Sequence, residues 1–138
     1  MVTISDHRMF CFEKNIFSAF PCKTALNTGV PMAIHSDAPV TPLGPLFTAW
    51  CAVNRLTASG RVQGEEERIT IEDAMYAITL GAAYTLHMDG EVGSLETGKS
   101  ADFAILEEDP YLCAPDELKN VEVWGTMQGG RIFDAKNL

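Results

Sequence analysis

Gly29-Val30-Pro31-Met32-Ala33-Ile34-His35-Ser36-Asp37-Ala38-Pro39-Val40-Thr41-Pro42 decides how the rest of the chain is read, because an apolar run ends here in a His-Ser-Asp cluster and prolines follow at once. Residues 31–35 have the length and apolar character of a short buried strand. Gly29 suits the left-handed turn that closes a preceding helix. Pro39 and Pro42 withhold backbone donors and keep the following loop out of helix, so Asp37 is presented from a stiff turn. Barrel enzymes keep their chemistry at the C-terminal ends of buried strands. Asp37 is therefore the candidate catalytic residue.

The length of 138 residues is one ordinary domain and about half of the roughly 250 residues that a complete (β/α)8 barrel needs. A whole barrel is excluded. Apolar residues make up 46% and charged residues 21%, the balance of a chain that can bury a core, so disorder is not expected. With 19 acidic against 10 basic residues the net charge is −9, which opposes binding to a phosphate backbone or an anionic lipid surface. Cys11, Cys22, Cys51 and Cys113 are irregularly spaced among apolar neighbours and contain no Cys-x-x-Cys pair, so they read as reduced core cysteines. No apolar run approaches the roughly 18 residues of a membrane span, and no basic segment leads into an apolar one at the start. The expected compartment is cytoplasmic.

The chain has no internal repeat and no Gly-, Ser- or Pro-rich linker. Residues 1–20 are the least legible, although Ile16, Phe17 and Phe20 fit helical spacing, and Pro21 suits the start of a short helix through Asn27. Leu46, Trp50, Val53 and Leu56 recur at helical intervals, with Gly60 as the expected stop. Arg61 to Arg68, including Glu65, Glu66 and Glu67, reads as a solvated loop. Thr70-Ile71-Glu72-Asp73 is a variant capping box ahead of the apolar face Ile71, Ala74, Met75 and Ile78. Gly81-Ala82-Ala83-Tyr84 permits close packing, and the helical run is expected to last to Gly90. Beyond Val92 the chain turns from α to β. Phe103 to Leu106 reads as a buried strand, Ala114 to Leu118 as a helical turn, and Val121, Val123 and Thr126 as one face of a further strand. Gln128-Gly129-Gly130-Arg131 then signals a hairpin.

The order of His35-Ser36-Asp37-Ala38-Pro39-Val40, Thr70 to Tyr84, Gly93-Ser94-Leu95-Glu96-Thr97-Gly98-Lys99-Ser100-Ala101-Asp102-Phe103, Asp109-Pro110 and Val121 to Gly130 resembles the C-terminal portion of metal-dependent amidohydrolases, most similarly their amidohydrolase-3 branch. The resemblance covers about residues 20–135. It implies that Met32 to His35 corresponds to the eighth barrel strand and Asp37 to the aspartate at its end, which in that family binds the metal and takes a proton from the attacking water. Such a pairing is chemically sound, since a metal lowers the pKa of bound water and a neighbouring carboxylate receives its proton. The expected fold is mixed α/β and not a complete TIM barrel: residues 1–90 form a partial (β/α) barrel end, the last strand plus following helices, and residues 91–138 supply C-terminal strands of a flanking β-sandwich, the two parts packing into one compact unit.

The departures shape the functional expectation. The family's His-x-His pair, its mid-barrel carboxylate or modified lysine, and its later histidines have no counterparts, since His7, His35 and His87 stand singly. A catalytic zinc takes about three protein ligands and an open position. The isolated chain is thus expected to be a fragment, inactive alone and without a cofactor. Zinc or another divalent metal, and a small amide or cyclic amide substrate, enter if the site is completed. The plainer reading makes His35 and Asp37 a buried hydrogen-bonded pair that anchors the proline loop. Asp102 is expected to cap a turn, Lys99 to be solvated, and Trp50 and Trp124 to be core or interface anchors. A reading of another class is a structural module that oligomerises without catalysis, because barrel helices and strands without their neighbours leave apolar faces and edges open. A homo-oligomer is expected, with neither nucleic acid nor membrane as partner.

Overall fold

Helix α2, Pro45–Asn54, carries a continuous buried run from Thr48 to Val53. A helix buried on every side has to sit between other elements. The computed structural model describes residues 20–39 and 41–137, and in it α2 packs against α3, Ile71–Ile78, on one side and a 3-10 turn, Leu118–Asn120, on another. Gly44 precedes the helix and Pro45 opens it, where the missing proline N–H costs no helical bond. Its apolar residues join Cys22, Ile34, Ile69, Ala74, Ala77 and Leu118 in one core.

The end of α2 departs from expectation. It stops at Arg55, whose φ of 54° is left-handed and whose N–H donates to the Cys51 carbonyl at 2.9 Å. Gly60, φ 80°, instead serves the turn beyond it, where the Thr57 N–H donates to the Arg61 carbonyl and Leu56 bridges to Val62.

Short helix α1 runs Cys22–Asn27 after Pro21. The helical spacing of Ile16 and Phe17, the phenylalanine-rich start, His7, Cys11 and Val40 lie outside the described residues. Helix α3 begins with the N-cap bond of a capping box: Thr70 Oγ1 accepts the Asp73 N–H at 3.1 Å, and the Thr70 hydroxyl donates to Asp73 Oδ2 at 2.9 Å. Thr79 breaks the run, and α4, Leu80–Thr85, follows at once. This helix ends before Gly90, as His87 turns left-handed with φ 58°. The close approach expected at Gly81 is present, since a Cβ there would lie 2.7 Å from the Met32 carbonyl oxygen.

The C-terminal part is an open three-stranded antiparallel sheet in the order β1, Phe103–Leu106; β2, Val123–Gln128; β3, Arg131–Asp134. Gly129 and Gly130 turn between β2 and β3 with φ of 55° and 80°, the signs a tight hairpin turn demands. Asp102 caps that turn as expected, its Oδ1 accepting the Gly129 N–H at 2.5 Å. Val121 is buried but precedes β2, and a bulge between Ile105 and Leu106 interrupts the β1–β2 register.

One expected element is not formed. Residues 31–35 are irregular backbone rather than a strand. A strand exists by its ladder, and here the Ile34 N–H donates to the Ala77 carbonyl of a helix at 3.4 Å instead. The alternation the strand would have had survives in part: Ile34 and Ser36 are buried, His35 and Asp37 exposed.

Candidate functional site

The segment from His35 to Thr41 builds the candidate site. Ile34 anchors it in the core and buried Ser36 follows at the same side. The Thr41 hydroxyl, also buried, donates to the Ser36 carbonyl and closes the loop. Asp37 sits at the head of this loop with φ 55°. For an L residue other than glycine that conformation costs on the order of 1 kcal/mol, least for Asp and Asn. Its N–H donates to His35 Nδ1 at 3.1 Å, and the Ala38-Pro39 bond that follows is cis.

His35 and Asp37 are therefore bonded and on one side, as the spacing implied, but exposed rather than buried. The link runs from backbone to imidazole, leaving the Asp37 carboxylate directed by its own rotamer. What this arrangement can do chemically is present a carboxylate from a tied-down loop. Holding a metal needs more. Among the described residues no group of three or more His, Cys, Asp or Glu side chains converges, and a catalytic zinc takes about three. The donor set here does not fit such an ion by itself.

Two other clusters of polar side chains were read differently in the sequence. Lys99 was expected in solvent, but its side chain is only 12% exposed. Its Nζ lies 2.6 Å from Ser94 Oγ and 3.3 Å from Glu96 Oε1, while the Ser94 hydroxyl donates to Glu96 Oε1 at 2.5 Å. These bonds, Ser94 first and Lys99 next, hold the Glu96 carboxyl below its ordinary pKa. They pin the Gly93 to Gly98 turn. Gly93 itself, φ 92°, would put a Cβ 2.6 Å from that of Ala83, so the turn lies directly on α4.

Glu67 was expected in a solvated loop and is instead buried, at the end of a 3-10 turn Glu65–Glu67. Its Oε2 accepts the Thr24 N–H at 2.9 Å, and its Oε1 accepts the Thr24 hydroxyl. Near it Arg55 is fully buried, donating from Nε to the Gln63 carbonyl at 2.7 Å and from Nη1 to the Phe20 carbonyl at 3.0 Å. No local pattern announces a cap delivered from a distant turn, so Glu67 reads in the sequence as one of three solvated acids, and nothing there gives Arg55 or Thr41 a role.

Among the described residues Cys22 and Cys51 are buried in the core, and Cys113 is half-buried against it. Cys22, Cys51 and Cys113 are free thiols. Burial pushes the Cys51 thiol up to about 11 against a lesser opposite pull from Lys119, and raises Cys22 as well. Thiols so raised are poor nucleophiles. Trp50 is a core anchor: its Nε1 donates to the Asp116 carbonyl at 2.9 Å, Phe47 stacks on it at 5.7 Å, and Lys119 Nζ lies 4.0 Å from its ring centre.

Comparison with known proteins places these features. The model of the amidohydrolase family matches residues 6–134. An N-substituted formamide deformylase of Arthrobacter pascens is 33% identical over 111 residues, 80% of this chain and 20% of that protein. A putative amidohydrolase of Bacillus subtilis, YtcJ, is 31% identical over 123 residues, 87% of this chain and 23% of that protein. An imidazolonepropionase of Syntrophobacter fumaroxidans is 49% identical over 87 residues, 63% of this chain and 19% of its own. The chain thus spans 20% and 23% of the first two relatives' lengths. No solved structure matches it.

Proposed function

Because this chain belongs to the amidohydrolase family, we propose that it carries the part of a metal-dependent hydrolase that supplies the proton-accepting aspartate, Asp37, for cleavage of a non-peptide or cyclic amide C–N bond. The observation that carries this reading is the presentation of Asp37: exposed, left-handed, and at the head of a loop whose neighbours are tied inward. Two similar proteins whose names describe reactions of this kind, the formamide deformylase and the imidazolonepropionase, support the choice of bond. Asp37 would serve as metal ligand and as acceptor of a water proton. Zinc or another divalent metal would supply the activated water. In this reading the isolated chain does not turn over substrate, and further ligands join Asp37 at the metal.

The test is elemental analysis of metal per chain on protein purified without chelator, repeated on Asp37→Ala, with an assay of amide hydrolysis. The expected result is no chelator-sensitive turnover by the chain alone. Stoichiometric turnover would overturn the inactivity, and metal held equally by both proteins would remove Asp37 from the site.

A second reading, a module that associates without catalysis, has its own support. β1 and β3 are the outer strands of the open sheet, and Leu43, Leu95 and Leu112 are 82%, 76% and 85% exposed. Unpaired edges and exposed apolar side chains favour association. Sedimentation showing a monomer at high concentration would count against it. Among the described residues no helix is long and apolar enough to cross a membrane. The net charge of −9 argues against nucleic acid, and the proposed location is cytoplasmic.

A further inference from the structure

We infer that His35 is a positioning residue for Asp37 and not a metal ligand. The inference rests on the reading of Asp37 as the functional carboxylate. His35 Nδ1 accepts the Asp37 N–H at 3.1 Å. An imidazole nitrogen that accepts has its lone pair in use, and the ring proton of the neutral form then sits on Nε2. Neither nitrogen offers a lone pair to a cation while this bond stands.

The bond has a specific structural effect. A side chain accepting the N–H two residues ahead is the geometry of an Asx turn, here made by an imidazole. It holds Asp37 at φ 55°, a region that residues with a Cβ leave readily. The Thr41 hydroxyl on the Ser36 carbonyl fixes the peptide in between. Ser36 and Thr41 are buried while His35 and Asp37 are exposed, so the two clasps work from opposite sides of one short backbone stretch. Together they determine the direction in which the Asp37 side chain leaves the loop.

The experiment uses the full chain labelled with nitrogen-15 in mildly alkaline buffer, without metal or substrate. A long-range proton–nitrogen spectrum is expected to show His35 protonated on Nε2, and the proton on Nδ1 would overturn the inference. Amide exchange at Asp37 is expected to speed up about tenfold in His35→Leu, the effect of one lost hydrogen bond. His35→Asn is expected to restore it, because Asn Oδ1 can accept the same N–H, with the melting temperature unchanged in both variants. Unchanged exchange in His35→Leu would also overturn the inference. If His35→Leu does not fold, the wild-type tautomer and His35→Asn decide the matter. The reading of Asp37 itself fails on metal content and turnover of Asp37→Ala, so the two failures are distinguishable.

Discussion

The Glu67 carboxylate caps helix α1 from 43 residues away, accepting the Thr24 N–H at 2.9 Å and the Thr24 hydroxyl on its other oxygen. Burial pushes its pKa up, but the bonds from Thr24 and Lys23 and the charge of Arg55 outweigh it and hold the carboxyl below the ordinary 4.5. A carboxylate whose folded pKa is depressed contributes stability that is present above the unfolded value and lost as pH falls through the folded one. Thermal melts by circular dichroism should therefore show a loss of stability below pH 4.5 that is reduced in Glu67→Gln. Removal of the cap in Glu67→Ala is expected to cost about 1–3 kcal/mol at neutral pH. Parallel pH profiles for the three proteins would refute the assignment.

Arg55 is fully buried and serves two carbonyls, those of Gln63 and Phe20. Truncation to Ala takes the Arg55 donor from the Gln63 carbonyl and leaves the Phe20 carbonyl with the Cys22 N–H alone, and a loss of about 2–4 kcal/mol is expected in urea denaturation. Arg55→Lys should recover less than half of it, because a single ammonium does not reproduce the fork of Nε and Nη1. Full recovery by lysine would mean that charge alone matters at this position.

Gly81 brings α4 against the backbone before the candidate site, with room for no Cβ beside the Met32 carbonyl oxygen at 2.7 Å. Gly81→Ala should destabilise by about 1–3 kcal/mol despite its better helix propensity. Amide chemical shifts of His35 and Asp37 should move with it. A stabilised Gly81→Ala would show that the contact is not tight.

His87 is exposed and left-handed, φ 58°, just after α4. Glycine adopts that conformation without a Cβ penalty, so His87→Gly should stabilise the fold by about 0.5–1 kcal/mol. The urea midpoint measures it, and a lower midpoint would indicate that the imidazole contributes a contact of its own.

Features set by neighbouring residues were legible in the sequence. Thr70 and Asp73 lie three apart and cap α3, and Gly129 and Gly130 turn the hairpin. What escaped depends on distant partners. Residues 31–35 have the composition of a strand, but a ladder requires a neighbour, and the Ile34 N–H finds Ala77. Glu67 looks like one of three solvated acids until α1 is set against it. Gly60 was the natural stop for α2, yet Arg55 takes the left-handed position, where its guanidinium bonds the Gln63 and Phe20 carbonyls. At the candidate site, the shared side of His35 and Asp37 was legible. Its exposure, and the Thr41 clasp that closes the loop, were not.

The buried guanidinium also bears on how this chain can drift over generations. Gly64, φ 64°, would place a Cβ 3.0 Å from Arg55 Nη2. Asparagine, the usual substitute in a left-handed turn, meets that atom unless the arginine has already gone, while loss of the arginine first takes the Nε donor from the Gln63 carbonyl and one of two donors from the Phe20 carbonyl. Each single step is unfavourable, so the two positions behave as one inherited character. Lineages should keep both or replace both, and an exchange at 64 alone should be purged.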